Sequence, residues 1–277
     1  MKVERKIDWL AVTLPADTQP EDTLVPDGWI RSGKGLHGWR NRLEHPTGMV
    51  CQTDSADKKM GTHLALSGDS LTNLRSLGFT DDKMIEVLIS RLSGRASRID
   101  LAITLTDCTI TPKTLSDAIK SGSASAKTRT SALVSSRSGA GIQGSTLYLG
   151  SRQSERFLRF YDKNAEQNIV SQSAKMRLEL ELKGIMAHMC GKAMVENGTD
   201  KVIIGHFSDF LDWNDTEYQL ALTGDSVSPQ KTERKATNTE KWLLETCAPA
   251  LARVCEVNTE FMNDFIKAFN MNSEPKK

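Results

Sequence analysis

The chain has 277 residues, 38% hydrophobic and 26% charged, with a formal net charge of +1. That length supports one large domain with a small appendage, or two modest ones. No run approaches the roughly 20 apolar residues of a membrane span, and five cysteines without a CxxC pair exclude a disulfide framework or zinc ribbon.

The N-terminus "MKVERKIDWLAVTLP" passes from charged residues straight into a strand pattern that stops at Pro15, with no signal-peptide stretch. An intracellular, cytoplasmic protein with no membrane partner is expected. "GWRNRLEH" and "GMVCQT" read as a hairpin around "HPTG", and "THLALSG" as a further strand. The period then changes. "DSLTNLRSLG" predicts a helix capped by Asp69 or Ser70, and "TDDKMIEVLISRLSG" a second, capped by Thr80, with Met84, Val87, Leu88 and Leu92 on one face.

"SRIDLAITLTD" is a strand, and "TPKTLSDAIKSG" a short helix with Pro112 in its first turn. Residues 121–145, rich in Ser, Gly and Ala, hold one candidate strand, "SALVSSR", and the loop "SGAGIQGS". A hairpin, "TLYLGSRQSERFLRFYDKNAEQ", follows, then the strand "AKMRLELELK" running into the helix "GIMAHMCGKAMVENG". "VIIGHFSDFLDW" reads as helix and residues 222–238 as a polar linker; residues 239–277 make a C-terminal helical segment. The expected class is α+β: one domain over residues 1–221, with a largely antiparallel central sheet and helices packed on one face.

Side chains alternate across a sheet, so each strand sorts by parity. Ile99, Leu101 and Ile103 oppose Arg98, Asp100 and Thr104, while Leu178, Leu180 and Leu182 oppose Arg177, Glu179, Glu181 and Lys183. Leu158 and Phe160 oppose Arg159, Tyr161 and Lys163, Leu147 and Leu149 oppose Thr146 and Tyr148, and His63 opposes Leu64 and Leu66. Any half-buried antiparallel strand alternates this way, with its charges in water. Residue type raises the interest, because Asp is depleted inside strands and Asp100 sits in one.

If the strands share a sheet, Asp100, Glu179 and Glu181 make an oxygen-ligand site suited to Mg²⁺ or Mn²⁺, with His63 as a nitrogen ligand. Seven Lys or Arg against two acids between Lys127 and Lys163 mark a basic stretch. Arg152, Arg156, Arg98 and Arg177 are candidates to hold a DNA backbone. Tyr161 is the candidate nucleophile, with Lys163 and Arg159 supplying the charge that its hydroxyl, reference pKa near 10, needs at neutral pH. Its attack on DNA would leave a 5′-phosphotyrosyl bond and a free 3′-OH. Tyr148, on the partner strand, is an alternative nucleophile.

"RIDLAIT", "TLYLGSRQSERFLRFYDKNAEQ" and "RLELELK", in this order, resemble the replication initiation factor family of rolling-circle initiators from small plasmids and filamentous or satellite phages. The resemblance places the family's R-x-Y-[DN]-K tyrosine on Tyr161, its strand aspartate on Asp100 and its R-x-E glutamate on Glu179. It implies site-specific nicking and strand transfer at a double-strand origin with a divalent cation, on double- and single-stranded DNA. The helices after Trp242 either pack on the body or serve a host helicase or a second copy in a homodimer. A non-catalytic origin-binding protein and a hydrolytic metal nuclease are the alternatives.

Overall fold

The alternation of Leu, Ile and Phe with polar residues builds a single large sheet. The computed structural model describes residues 1–55, 57, 60–137, 143–171, 173–230, 243–258 and 260–273. The sheet has ten strands: β1 (Lys2–Leu14), β2 (Ile30–Lys34), β3 (Trp39–Glu44), β4 (Val50–Ser55), β5 (Thr62–Leu66), β6 (Arg95–Thr106), β8 (Ser131–Arg137), β9 (Gln143–Leu149), β10 (Arg156–Asp162) and β11 (Lys175–Lys183). Their spatial order is β2-β3-β4-β5-β1-β6-β11-β10-β9-β8, and every neighbouring pair is antiparallel. A separate two-stranded piece joins β7 (Ala124–Ala126) to β12 (Leu211–Trp213).

One face of the sheet is dry. Leu10, Val12, Leu64, Leu66, Ile99, Leu101, Ile103, Leu158, Phe160, Leu178, Leu180 and Leu182 are fully buried there. Each contributes on the order of 1.5–3 kcal/mol of transfer free energy. They pack with the apolar sides of α1 (Gly68–Ser76), α2 (Asp81–Ile85), α3 (Pro112–Ser121), α5 (Gly184–Asn197), α6 (Thr199–Phe210) and α7 (Thr216–Ala221). The four-residue α4 (Lys163–Glu166) instead continues from β10 and borders the polar face.

Local chemistry sets the ends of these helices. Thr80 caps α2 by accepting from Lys83 N, and Thr111 with Pro112 starts α3. The cap of α1 is Ser67, which accepts from Ser70 N at 3.3 Å, rather than Asp69 or Ser70. The helix expected after Thr80 is α only to Ile85 and continues as a π turn over Glu86–Arg91. The chain then reverses into β6 with Gly94 N donating to Leu88 O at 3.0 Å. A Cβ at Gly94 would lie 2.2 Å from that oxygen, so only glycine fits. The expected helix "VIIGHFSDFLDW" stops at Phe210, because Leu211–Trp213 pair with β7.

The strand order hides a duplication. The first strand, β1, is followed by the meander β2–β5, whose last strand returns beside β1 and leads into two helices. β6 repeats the scheme: the meander β8–β11 ends beside β6 and leads into α5 and α6. The two modules meet where β1 and β6 pair antiparallel.

The chain divides into two units, Met1–Gln230 and Lys231–Lys277. Residues 222–230 of the expected linker belong to the first unit, where Val227 N donates to Lys201 O at 3.1 Å. The second unit contains a π turn at Leu243–Cys247, α8 (Ala248–Val257) and α9 (Phe261–Ser273). Residues 231–238 of the linker, Trp242 and much of the "SGAGIQGS" loop lie outside the described residues. Among the described residues, no helix is long and apolar enough to cross a membrane.

Candidate active site

The polar face owes its central carboxylate to a fault in β1. Strict alternation along "IDWLAVTL" would put Asp8 in phase with the buried Leu10, Val12 and Leu14. The pairing with β6 slips instead, so that Ile7 lies opposite Leu101 and Trp9 opposite Asp100. This bulge leaves Ile7 and Leu10 in the core and turns Asp8 to the polar side, where bulges near functional sites commonly re-aim a side chain. Sequence reading missed Asp8. The available signal was a charge at a position in phase with core residues.

Asp8 joins Tyr161, Arg159, Glu179, Lys163, Glu166, Asp162, Tyr148 and Thr146 in lining a cleft of about 310 Å³. Tyr161 is 8% exposed and opposes Arg177 across β10–β11, with Thr104 next in that row. Arg177 is buried, and it donates to Thr104 Oγ1 at 3.0 Å and to Asp8 Oδ1 at 2.9 Å. Burial, reinforced by the Glu179 charge, raises the Tyr161 hydroxyl well above the ordinary phenol range, against the opposing pull of Arg177.

Lys163 opens α4 rather than extending β10. Its ammonium stands 5.6 Å from the centre of the Tyr161 ring and 2.8 Å from Glu166. Arg177 is the cation whose charge favours the ionised hydroxyl, while Lys163 covers the ring. Asp162 caps α4, accepting from Asn164 N at 2.9 Å and Ala165 N at 3.0 Å, which fixes the chain direction just after Tyr161.

Asp8 and Glu179 are hydrogen-bonded to one another. Burial, the bond to Asp8 and the Asp8 charge push Glu179 up to about 7. Asp8 resists its own burial through Arg177, the Glu179 bond and the charges of Lys163 and Lys6, and stays below the usual carboxylate range. Glu179 is thus the proton donor and Asp8 the ionised acceptor. Two carboxylates sharing one proton beside an open cleft fit a small hard cation, which commonly takes one or two carboxylates and fills its other positions with water or phosphate oxygens.

Asp100 and Glu181 are held differently. Arg98 grips Asp100 through two bonds of 2.8 and 2.6 Å and reaches Glu181 at 3.1 Å, while Lys183 pairs with Glu181 at 2.6 Å. Arg159 spans Glu179 at 3.1 Å and Asp100 at 3.5 Å. Asp100 is 1% exposed, and burial raises its pKa despite Arg98. Among the described residues, no group of three or more His, Cys, Asp or Glu side chains is disposed to hold a metal ion. The predicted ligand set of Asp100, Glu179, Glu181 and His63 is thus not assembled as such; Glu179 with Asp8 faces the cleft.

His63 lies elsewhere. It opposes Thr13, five positions along β1 from Asp8, roughly 17 Å away at about 3.3 Å per residue. There it contacts Thr13 Oγ1 at 3.3 Å and packs on Trp39. Arg156 is in phase with Leu158 and Phe160 and pairs with Asp209 of α6 at 2.7 Å over the Phe210 ring, on the helix side. Arg177 is an internal residue, and Arg98 sits against Asp100 and, 4.9 Å away, the Trp9 ring. Arg152 is exposed on the β9–β10 turn, beside Phe157. Tyr148 lines the same cleft as Tyr161 but stacks on Phe157, with ring centres 5.8 Å apart and planes 7° from parallel.

Comparison with known proteins follows the same lines. A family model described as "Replication initiation factor" matches residues 94–269. The rolling circle replication initiator protein from Geobacillus stearothermophilus has a similar structure, with TM-score 0.67 and 17% identity over 83% of this chain and 100% of that one. At that identity the likeness concerns the fold. No curated protein sequence matches.

Proposed function

The chain belongs to the replication initiation factor family, and we propose that it starts rolling-circle replication by nicking one DNA strand with Tyr161 and later rejoining it. The observation that carries this reading is Tyr161, opposite the buried Arg177 on the neighbouring strand, sharing one cleft with Asp8, Glu179 and Arg159. Tyr161 Oη would bond to phosphorus as the P–O3′ bond breaks. The phenol proton is released to solvent in the open cleft, and the leaving 3′ oxygen takes a proton from solvent. Arg177 stabilises the phenolate that the buried environment otherwise opposes.

Arg159 supports a phosphate-binding role. Its Nη2 is engaged by Glu179 and Asp100, yet its Nε–H is buried without an acceptor. A phosphate oxygen would satisfy that donor, and an unsatisfied one costs about 1–3 kcal/mol. Lys163 is placed to meet a second oxygen. Asp8 and Glu179 would hold Mg²⁺ or Mn²⁺, whose charge would offset that gained by the phosphoryl oxygens in the transition state.

The test is cleavage of uniformly labelled supercoiled DNA carrying the element's own origin, read on a denaturing gel. The unaltered chain should leave protein attached to the 5′ end in Mg²⁺ or Mn²⁺ and none in EDTA. Tyr161→Phe should give neither nick nor adduct while retaining DNA binding, and Tyr148→Phe should keep both. An adduct surviving Tyr161→Phe but lost in Tyr148→Phe would move the nucleophile to Tyr148. Nicks without attached protein would make the enzyme a hydrolytic nuclease, and binding without nicks a regulator.

A further inference from the structure

A second cleft, of about 360 Å³, lies on the other flank of α4 and shares Asp162 and Ala165 with the first. Its remaining walls are Asn164, Ile169, Val170, Ser171, Ala174 and Met176. Ile169 is 48% exposed and Val170 90% exposed. Neighbouring apolar side chains so open to water are uneconomical for a monomer unless they meet something.

The segment that carries them is pinned. Ile169 N donates to Asn164 O at 2.8 Å, and Asn164 Nδ2 to Ser173 O at 2.7 Å. Ser173 Oγ bonds Asp107, and Asp107 N donates to Ala174 O at 2.9 Å. Two apolar tips are therefore held outward by a braced loop.

We propose that this cleft receives an unstacked nucleobase of the strand whose phosphate lies against Tyr161. The inference rests on the reading of the first cleft as the site of a DNA strand. Continuity with that cleft argues for DNA over another occupant: the two clefts share Asp162 and Ala165, so a strand held against Tyr161 has the second cleft adjoining it. Charge argues for a base over a phosphate. Among the described residues, no Lys, Arg or His lines the second cleft, and the Asp162 carboxylate is spent on capping α4. Apolar side chains against the face of a base taken out of its stack are a recurrent way to hold one.

The experiment compares equilibrium binding of a labelled oligothymidine and of its abasic counterpart, which keeps the backbone but lacks bases, both in EDTA. The full chain should bind the base-bearing strand more tightly. Ile169→Ser/Val170→Ser should lower that preference about 5- to 150-fold, the worth of one base contact, and leave affinity for the abasic strand unchanged. An unchanged melting temperature confirms that the variant is folded. The proposal is overturned if the chain shows no base preference, if the variant keeps it, or if both strands weaken by the same factor. An unaltered preference in the variant would point to a protein as the occupant. Tyr161→Phe should keep the base preference, so failure of the nicking test and failure of this one are separable.

Discussion

Asp8→Ala would test the internal wiring of the site. Arg177 is 5% exposed and its carboxylate partner is Asp8, at 2.9 Å. Removing one member of a buried pair costs about 3–5 kcal/mol, because a desolvated charge is left behind. Here Glu179 stands nearby and, freed of the Asp8 charge, ionises more readily, so the loss should fall to about 2–3 kcal/mol. For a unit of this size each kcal/mol is worth about 2–4 °C, which predicts a melting temperature lower by about 4–12 °C. Nicking should drop by at least about 10- to 100-fold, the cost of losing a mere outer partner of a metal ligand, because Asp8 is itself a proposed ligand. Scanning calorimetry at pH 7.5 supplies the first number and the supercoiled-DNA assay the second. Asp8→Ala/Arg177→Met leaves no orphaned cation and should melt above Asp8→Ala alone. If Asp8→Ala melts within about 2 °C of the unaltered chain, or the double variant shows simple addition of two losses, the ion pair does not act as described.

Glu179, raised to about 7 from 4.5, binds a proton in the folded state that the unfolded state has released. In EDTA that contribution to stability is therefore full below about pH 4.5 and lost as pH rises through about 7, on the order of 3 kcal/mol. Melting curves between pH 5 and 8 should show the decline, Glu179→Gln should flatten it, and Mg²⁺ or Mn²⁺ should restore stability at the upper end; a flat profile for the unaltered chain would refute the shared proton. Lys163→Met should cost no more than about 1 kcal/mol of stability, the worth of its contact with the Tyr161 ring, yet slow nicking about 10- to 100-fold through one lost charge-assisted phosphate bond. Equal nicking rates would remove Lys163 from the phosphate.

Parity was a sound guide where strands are regular. Leu178, Leu180 and Leu182 are buried as alternation requires, and Tyr161, Arg159 and Glu179 do share the polar side. It failed where the ladder is not regular. Asp8 showed only as a charge in phase with core residues; the bulge that re-aims it is a property of two paired strands, and the partner of β1 lies about ninety residues away. Arg156 was misjudged on charge: its phase already matched Leu158 and Phe160, and only the fold brings Asp209 of α6 to neutralise it. His63 shares the expected face, but parity fixes a face and not a position along it. Arg177 looked like a surface cation because nothing local shows that Thr104, Asp8 and Tyr161 surround it.

The antiparallel pairing of β1 with β6 has a consequence for how this protein can change. The second half supplies Tyr161, Arg159, Arg177 and Glu179, and the first lends a single carboxylate, Asp8, across the join. The family match starts at residue 94, one position before β6, so the lending half is the one left outside it. That half must keep its core residues, among them Leu10, Val12, Leu64 and Leu66, and also the kink in its opening strand. Neither half, expressed alone, would inherit a working centre.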